Sequence, residues 1–174
     1  GAAGRRRATG GGIQHAVNQI SQQEGIFTGD QLFTFHRNLS FLEDEKFMTA
    51  FNEHAKTNTE RSVIWRLSVL CWAAQNALRL EGDFVEAACY KGVSARIIAD
   101  YVNFSELSER NYYLYDLFEH DVTMPHHAMP EHSKKLYAEV KRRFASIPNS
   151  FITQGRLPEV LAKRAPEKIA FMHL

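Results

Sequence analysis

The fold class is decided by one stretch of the chain, Gly82-Asp83-Phe84-Val85-Glu86-Ala87-Ala88-Cys89-Tyr90-Lys91-Gly92-Val93-Ser94. It begins as a short apolar run with one carboxylate, Glu86, and passes through a turn of small residues to Gly92. A helix-like pattern then covers residues 94–101. A strand, a glycine-containing turn and a helix in that order form the first part of a βαβ unit. The stretch therefore predicts an α/β domain.

Three more apolar runs follow the same plan, at Tyr112–Tyr115, Phe151–Thr153 and Ile169–Leu174. A helix predicted over residues 133–147 precedes the second of them. Its apolar residues recur at helical spacing and are expected to point inward: Leu136, Val140, Phe144 and Ile147. Because strands alternate with helices, we expect parallel βαβ units in one sheet.

The N-terminal part of the chain has a different pattern, which predicts a helical extension over residues 13–81. One helix is expected over residues 43–55. A second begins at the capping box Thr57-Asn58-Thr59-Glu60 and continues until Gly82 stops it. Residues 1–12 combine glycine, alanine and three arginines. This composition is typical of a flexible leader or a cloning remnant, with a phosphate-binding arm as the alternative.

The extension is rich in phenylalanine between residues 27 and 51. The members are Phe27, Phe33, Phe35, Phe41, Phe47 and Phe51. Such a stripe is expected to form core, but it exceeds what one short helix needs. A contact between two copies of the chain, giving a homo-oligomer, or a cover over a pocket are the alternatives.

Composition narrows the class of protein. The chain has 174 residues, of which 44% are hydrophobic and 24% charged, and this is typical of one globular domain. The net charge of +1 gives no overall field that favours nucleic acid or an anionic membrane. Cys71 and Cys89 lie in apolar patterns that favour buried, reduced thiols. Because no run resembles a membrane span or a signal core, a cytoplasmic protein is expected.

The ends of the predicted strands are where a ligand is expected, since an α/β sheet binds ligands beyond the carboxyl ends of its strands. The turn after Glu86 leads into a helix N-terminus, whose amides can hold an anionic group. The second run ends at Asp116, where a carboxylate can accept both hydroxyls of a ribose. Together these residues outline a nucleoside pocket. A structural turn with a solvated Asp116 is the alternative.

Four stretches, in this order, resemble the macrocin O-methyltransferase family of class I enzymes, which depend on S-adenosylmethionine. Gly82–Ala95 is similar to the family's G-D-F-V-E-x-G-x-x-x-G-x-S, and Tyr113–Glu119 to its L-Y-D-T-F-E. Gly155–Pro158 is similar to a shortened G-x-x-x-x-x-L-P, and Pro166–Leu174 to P-E-K-I-A-x-L-H-L-D. The resemblance covers residues 57–174 and implies a Rossmann-like class I methyltransferase fold.

The resemblance also implies eight cofactor-binding positions: Glu86, Ala88, Tyr90, Gly92, Ser94, Asp116, Gln154 and Gly155. The first five would lie around the methionine part of S-adenosylmethionine, with Ser94 and the helix N-terminus toward its carboxylate. Asp116 would hold the ribose hydroxyls, and Gln154 and Gly155 would lie by the adenine. Ala88 stands where the family has glycine. Its extra methyl group would narrow the approach of the backbone to the cofactor, although alanine tolerates ordinary backbone angles.

The resemblance breaks off at Leu174, immediately before an aspartate of the family pattern. In the family that aspartate begins a set of acidic ligands for a divalent metal, Mg²⁺, which prefers oxygen ligands. No metal ligand is therefore assigned within the given residues. Residues 82–174 are expected to form the first half of the domain, with the C-terminal part of the sheet missing and the last run an exposed edge strand.

Histidines supply the remaining candidates. His120, His126, His127 and His132 lie between the second and third runs, and their spacing matches no standard zinc pattern. A mobile loop over the pocket, with one histidine near the substrate, is favoured over a metal site. His173, in the last run, is the candidate catalytic residue, with core packing as the alternative.

Together, the residues and the resemblance predict an S-adenosylmethionine-dependent O-methyltransferase acting on a hydroxyl of a small molecule, such as a sugar or a polyketide-like natural product. The hydroxyl proton must be removed by a metal or a base. One alternative is a non-catalytic module that binds the cofactor or a partner. Another is a nicotinamide-dependent enzyme, which the lack of G-x-G-x-x-G after the first predicted strand disfavours.

Overall fold

The computed structural model describes residues 25–123 and 129–174. Three sets of residues with predictions lie outside this part of the chain: the predicted leader, residues 1–12; the start of the predicted helical extension, residues 13–24; and two of the histidines, His126 and His127. Within it, the strands form a two-stranded and a four-stranded sheet.

The chain enters through a β-hairpin. Strands β1 (Ile26–Gly29) and β2 (Leu32–Phe35) pair antiparallel. The two residues between them, Asp30 and Gln31, have φ of 48° and 59°, which a tight hairpin turn with positive φ at both positions requires. The prediction of a helical extension is therefore wrong for this segment. Its aromatic and β-branched residues flank a two-residue turn and favour strands.

Asp30 fixes the hairpin to the helices that follow, α2 (Asn58–Ser62) and α3 (Ile64–Ala77). Its backbone N–H donates to the Ser62 carbonyl (2.7 Å), and its carboxylate accepts from the Arg66 backbone N–H (2.9 Å). In a continuous helix the Arg66 N–H would donate to the Ser62 carbonyl instead. The Asp30 carboxylate thus replaces the Ser62 carbonyl as the acceptor of the Arg66 N–H. This interruption explains why the predicted single helix is two helices that meet at Val63.

The helical predictions are otherwise confirmed. Helix α1 (Glu45–His54) begins after Asp44, whose side chain accepts from the Phe47 N–H (3.0 Å). The capping box at the start of α2 is present, with Thr57 Oγ1 accepting from the Glu60 N–H (3.2 Å) and Glu60 Oε2 from the Thr57 N–H (2.9 Å). Helix α3 ends five residues before Gly82, so this glycine does not stop it.

All four predicted strands of the parallel sheet are confirmed. They are β3 (Asp83–Ala87), β4 (Tyr112–Asp116), β5 (Ser150–Gln154) and β6 (Ile169–His173). The sheet order is β5-β4-β3-β6, with every pair parallel. This arrangement is compatible with a Rossmann-like fold.

A register shift lies between β3 and β6. Asp83 pairs with Ile169, but Phe84 pairs with Phe171, so that β6 has one extra residue at Ala170. Beyond this bulge, Glu86 pairs with His173. The bulge comes close to Gly82, where an added Cβ would lie 2.8 Å from the Lys168 carbonyl carbon and 2.9 Å from the Ala170 nitrogen.

Helices α4 (Val93–Tyr101) and α5 (Leu136–Arg143) complete the main core. Helix α5 is shorter than predicted, but its four predicted inward residues are buried. The main core lies on the sheet face of Phe84, Tyr112 and Phe171. Alternate strand residues face the other way and form a smaller cluster, Val85 and Tyr115 with Val160.

The phenylalanines divide between the core and the surface. Phe47 and Phe51 are buried, as predicted, whereas Phe33 and Phe35 on β2 are 47% and 57% exposed. The predicted contact between copies through this segment stays a prediction. Cys71 and Cys89 are buried free thiols, and burial raises the pKa of both. Among the helices of the described residues, none has the length and apolarity needed to cross a membrane.

Candidate functional site

A cavity of about 580 Å³ lies at the carboxyl end of β3, where the strand order reverses. Strands β4 and β5 continue the sheet on one side of β3, and β6 lies on the other. Loops diverge from such a reversal in opposite directions and leave a crevice between them. The cavity therefore occupies the position that α/β sheets offer to a ligand.

Five of the nine predicted site residues line this cavity: Glu86, Ala88, Tyr90, Ser94 and His173. The other four, Gly92, Asp116, Gln154 and Gly155, do not line it. Residues from α2, α3 and the segment 129–131 complete its wall.

Glu86 and His173 form a pair on the cavity floor. The Glu86 side chain is 4% exposed, and its Oε2 lies 3.2 Å from His173 Nδ1. The contact is electrostatic, because the two atoms are not aligned as a hydrogen bond. Glu86 raises the pKa of His173, although burial and the Arg66 guanidinium oppose the rise. Since Nδ1 is buried and the His173 side chain is 25% exposed, the open edge of the ring carries Nε2.

Tyr112 supports this pair from below. Its hydroxyl donates to Glu86 Oε2 (3.4 Å), and the ring is fully buried. Burial, followed by the charge of Glu86, raises the pKa of Tyr112 well above its usual value. Tyr112 therefore stays protonated and acts as a donor to the carboxylate.

Helix α4 starts at the cavity, with Val93 and Ser94 in its wall. Gly92 precedes it with φ of 66°, and an added Cβ would lie 3.0 Å from Phe144 Cε2 and 3.3 Å from Val140 Cγ1. Gly92 thus lets the chain turn into α4 while α5 packs closely behind it. The glycine serves the backbone turn and the packing of two helices.

Ala88 also has a left-handed backbone, with φ of 57°. Alanine tolerates ordinary backbone angles, but the φ here lies in the left-handed region. The chain must reverse between the end of β3 and the start of α4, and it does so through three left-handed residues, Ala88, Tyr90 and Gly92. For an L-residue such as alanine this conformation costs about 1 kcal/mol relative to glycine.

Ion pairs of Lys91 stabilise one wall of the cavity. Lys91 Nζ lies 2.5 Å from Glu60 Oε1 and 3.6 Å from Glu131 Oε1. Partial burial disfavours ionisation of Glu60, but Lys91 and the N–H groups of Thr57 and Lys56 outweigh this effect and lower the pKa of Glu60 to about 2. Lys91 therefore joins the N-terminus of α2 to the loop after β3.

Asp116 is buried beside the cavity, and contacts with neighbouring residues fix its carboxylate. Its Oδ2 accepts from the Tyr90 N–H (2.6 Å), and its Oδ1 accepts from the Phe118 N–H (2.8 Å). His132 Nε2 lies 3.6 Å from Oδ1. Burial raises the pKa of Asp116, while the Phe118 N–H and His132 oppose the rise. A solvated Asp116, the structural alternative, is thus wrong, because the side chain is 7% exposed.

The segment Met129–His132 contacts both the cavity and Asp116. Met129, Pro130 and Glu131 line the cavity. The His132 ring lies 5.6 Å from the Tyr90 ring in an edge-on arrangement. The spacing of the histidines contained no signal for this contact, because the segment has no periodic pattern. His120, by contrast, is exposed.

Gln154 and Gly155 lie next to Asp116 and β4. Gln154 Nε2 donates to the Leu117 carbonyl (3.0 Å) and to Glu119 Oε1 (3.2 Å). The Gly155 N–H donates to the Asp116 carbonyl (3.0 Å). Both residues thus belong to the Asp116 side of the site, and their predicted contact with adenine stays a prediction.

A second cavity, of about 620 Å³, lies between α1 and the C-terminal end of α4. Glu53, His54 and Asp100 stand close enough there to hold a metal ion. Both Asp100 oxygens already have partners, His54 Nε2 at 2.5 Å and Arg96 Nε at 3.0 Å. These contacts join α1 to α4. The two cavities share no lining residue.

No protein-family model matches the chain, and no curated protein matches it either. Function is therefore inferred from the geometry of the cavity, together with the sequence resemblance.

Proposed function

We propose that this chain binds S-adenosylmethionine and transfers its methyl group to a hydroxyl of a small molecule. The observation that carries the proposal is the cavity at the strand-order reversal, which brings Glu86, Ser94 and His173 together. The sequence resemblance to macrocin O-methyltransferases points independently to Glu86 and Ser94.

The donor set of the cavity suits the amino-acid half of the cofactor. That half carries one carboxylate and one ammonium group. The Ser94 hydroxyl and the first amides of α4 offer donors to a carboxylate. The negative charges of Glu60 and Glu86 favour an ammonium group in the cavity, although each carboxylate already has a partner, Lys91 and His173 respectively. A volume of about 580 Å³ lies in the range of ordinary ligand pockets.

The nucleoside half is assigned to Asp116 and Gln154. Asp116 lies against His132, and Gln154 lies next to Asp116, with its Nε2 on the Leu117 carbonyl. A carboxylate has room for about four hydrogen bonds on its two oxygens, and Asp116 accepts two from backbone amides. It therefore keeps acceptor capacity for a ribose diol.

S-adenosylmethionine, when bound, supplies an electrophilic methyl group. The chain must position the acceptor hydroxyl and take its proton. His173 suits the second task, because its Nε2 edge faces the cavity while Glu86 stands at Nδ1. A carboxylate at one ring nitrogen fixes the orientation of the imidazole and stabilises its protonated form. Glu86 is therefore assigned a positioning role toward His173.

The Mg²⁺ that the resemblance implies has no evident ligand set among the described cavity residues. Glu60 is engaged by Lys91, and Glu86 by His173 and Tyr112. The candidate metal cluster at Glu53, His54 and Asp100 belongs to the other cavity. No step of the proposal uses a metal.

Isothermal titration calorimetry with S-adenosylhomocysteine tests the proposal. We expect binding by the wild-type protein that weakens at least about tenfold in Ser94→Ala or Glu86→Gln, a loss of about 1.4 kcal/mol. Glu53→Gln, in the other cavity, is the matched control and should bind normally. Absence of binding overturns the proposal, and binding of NAD instead favours the nicotinamide-dependent alternative. Cofactor binding without transfer to any hydroxyl acceptor tested indicates a non-catalytic module.

A further inference from the structure

One side of the Asp116 carboxylate is covered by another side chain. Two of its acceptor positions are taken by the N–H groups of Tyr90 and Phe118, which fix the carboxylate in place. The side chain that covers the rest is His132, itself 6% exposed, with Nε2 3.6 Å from Asp116 Oδ1. His132 thus stands where a ribose diol would have to approach.

Few contacts with residues outside the segment hold this cover. The Glu131 N–H donates to the Tyr90 hydroxyl (3.2 Å), Lys91 Nζ lies 3.6 Å from Glu131 Oε1, and the His132 ring packs edge-on against Tyr90. Inside the segment, the Met129 N–H donates to His132 Nδ1 (3.4 Å). Because Nδ1 accepts this hydrogen bond, the neutral ring carries its hydrogen on Nε2, toward Asp116. Both hydrogen bonds lie at or beyond the limit of the usual 2.7–3.2 Å range, and an ion pair with the half-exposed Glu131 contributes little.

The same segment lies against both Asp116 and the cavity. Met129, Pro130 and Glu131 form part of the cavity wall, whereas His132 faces Asp116. If the segment moves, Asp116 is joined to the space around Glu86 and Ser94. A single ligand can then contact Asp116 together with Glu86 and Ser94.

We propose that Met129–His132 is a displaceable cover over a nucleoside subsite at Asp116, and that His132 leaves this carboxylate when a nucleoside binds. The inference rests on the proposed function, because it takes the ligand to carry a ribose. Nucleoside binding and the His132–Asp116 contact exclude each other. The covered form therefore lowers the apparent affinity for every ligand that needs Asp116.

The experiment measures the affinity for adenosine and for S-adenosylhomocysteine in His132→Ala. His120→Ala is the matched control, since this exposed histidine lies on the same connection between β4 and α5. We expect both ligands to bind about three- to tenfold more tightly to His132→Ala and unchanged to His120→Ala. Hydrogen exchange at residues 129–132 of the wild-type protein should rise when adenosine binds.

Tyr90→Phe provides a second variant if His132→Ala does not fold. It removes the hydroxyl that accepts from the Glu131 N–H and keeps the ring. We expect a smaller gain in adenosine affinity, about twofold. An unchanged or weaker affinity in the folded variants, with no rise in exchange, overturns the cover.

The outcomes separate this inference from the proposed function. If S-adenosylhomocysteine binds wild type and His132→Ala equally, the proposed cofactor stands and the cover is wrong. If only adenosine binds, and binds His132→Ala more tightly, the cover stands and the proposed cofactor is wrong. If neither ligand binds any variant, both proposals are overturned.

Discussion

Replacement of Gly92 by alanine tests how the turn into α4 is built. The residue has φ of 66°, a conformation that costs an alanine about 1–2 kcal/mol. The new Cβ would also lie 3.0 Å from Phe144 and 3.3 Å from Val140, both buried, and overpacking of this kind costs about 1–3 kcal/mol. Lower flexibility of the unfolded chain returns about 0.5–1 kcal/mol.

The net expectation is a loss of about 2–3 kcal/mol in the free energy of unfolding. For a chain of this size that lowers the Tm by about 5–10 °C. Equilibrium urea unfolding of Gly92→Ala and the wild type measures the difference, provided that the denaturant slope is unchanged. Thermal unfolding gives an independent value.

Gly92→Asn is the control that separates the two contributions. Asparagine tolerates a left-handed backbone better than alanine, but it carries the same Cβ. We expect it to retain the packing cost and to be less destabilising than Gly92→Ala. A loss below about 0.5 kcal/mol for Gly92→Ala, the size of an ordinary surface change, refutes the reasoning.

Three further predictions concern single contacts. Asp30→Ala should lower the free energy of unfolding by about 1 kcal/mol in urea, since it leaves the Arg66 N–H without its partner. Gln31→Ala, in the same turn, is the control and should show no loss. Glu60→Gln should lower the free energy of unfolding by about 1 kcal/mol at neutral pH. Because the folded-state pKa of Glu60 is lowered to about 2, this loss should shrink as the pH falls below about 4.5. A loss that stays constant with pH contradicts the assignment. The pKa of His173, measured by NMR, should exceed its usual value of about 6.5 and fall in Glu86→Gln. Because that pKa is raised, the pair stabilises the fold at low pH, and this contribution is lost as the pH rises through the folded-state pKa.

The parallel sheet could be predicted from sequence because its signals are local. Each strand is a short apolar run next to a helix or a turn. Carboxylates lie at the end of β4 (Asp116) and at the last position but one of β3 (Glu86). The capping box at Thr57 and the burial of Phe47 and Phe51 follow from spacing within one helix. Glu86 and His173 were both identified, but their pairing depends on a bulge that the sequence does not mark.

The parts that could not be predicted depend on distant residues. Asp30 interrupts the helical ladder at Arg66, 36 positions along the chain. His132 covers Asp116 from a segment without periodicity. The positive φ of Ala88 arises from the path that the chain must take between β3 and α4, and alanine itself gives no hint of it.

The bulge at Ala170 determines which side chains the end of β6 offers to the two faces of the sheet. With regular pairing from Ile169 onward, Met172 would stand opposite Glu86, and Phe171 and His173 would face the other way. Deletion of Ala170 should therefore remove the bulge and keep His173 opposite Glu86, because Phe171 would then follow Ile169 as Phe84 follows Asp83. An insertion of one residue between Phe171 and His173 should instead turn the histidine to the other face of the sheet and abolish the pair.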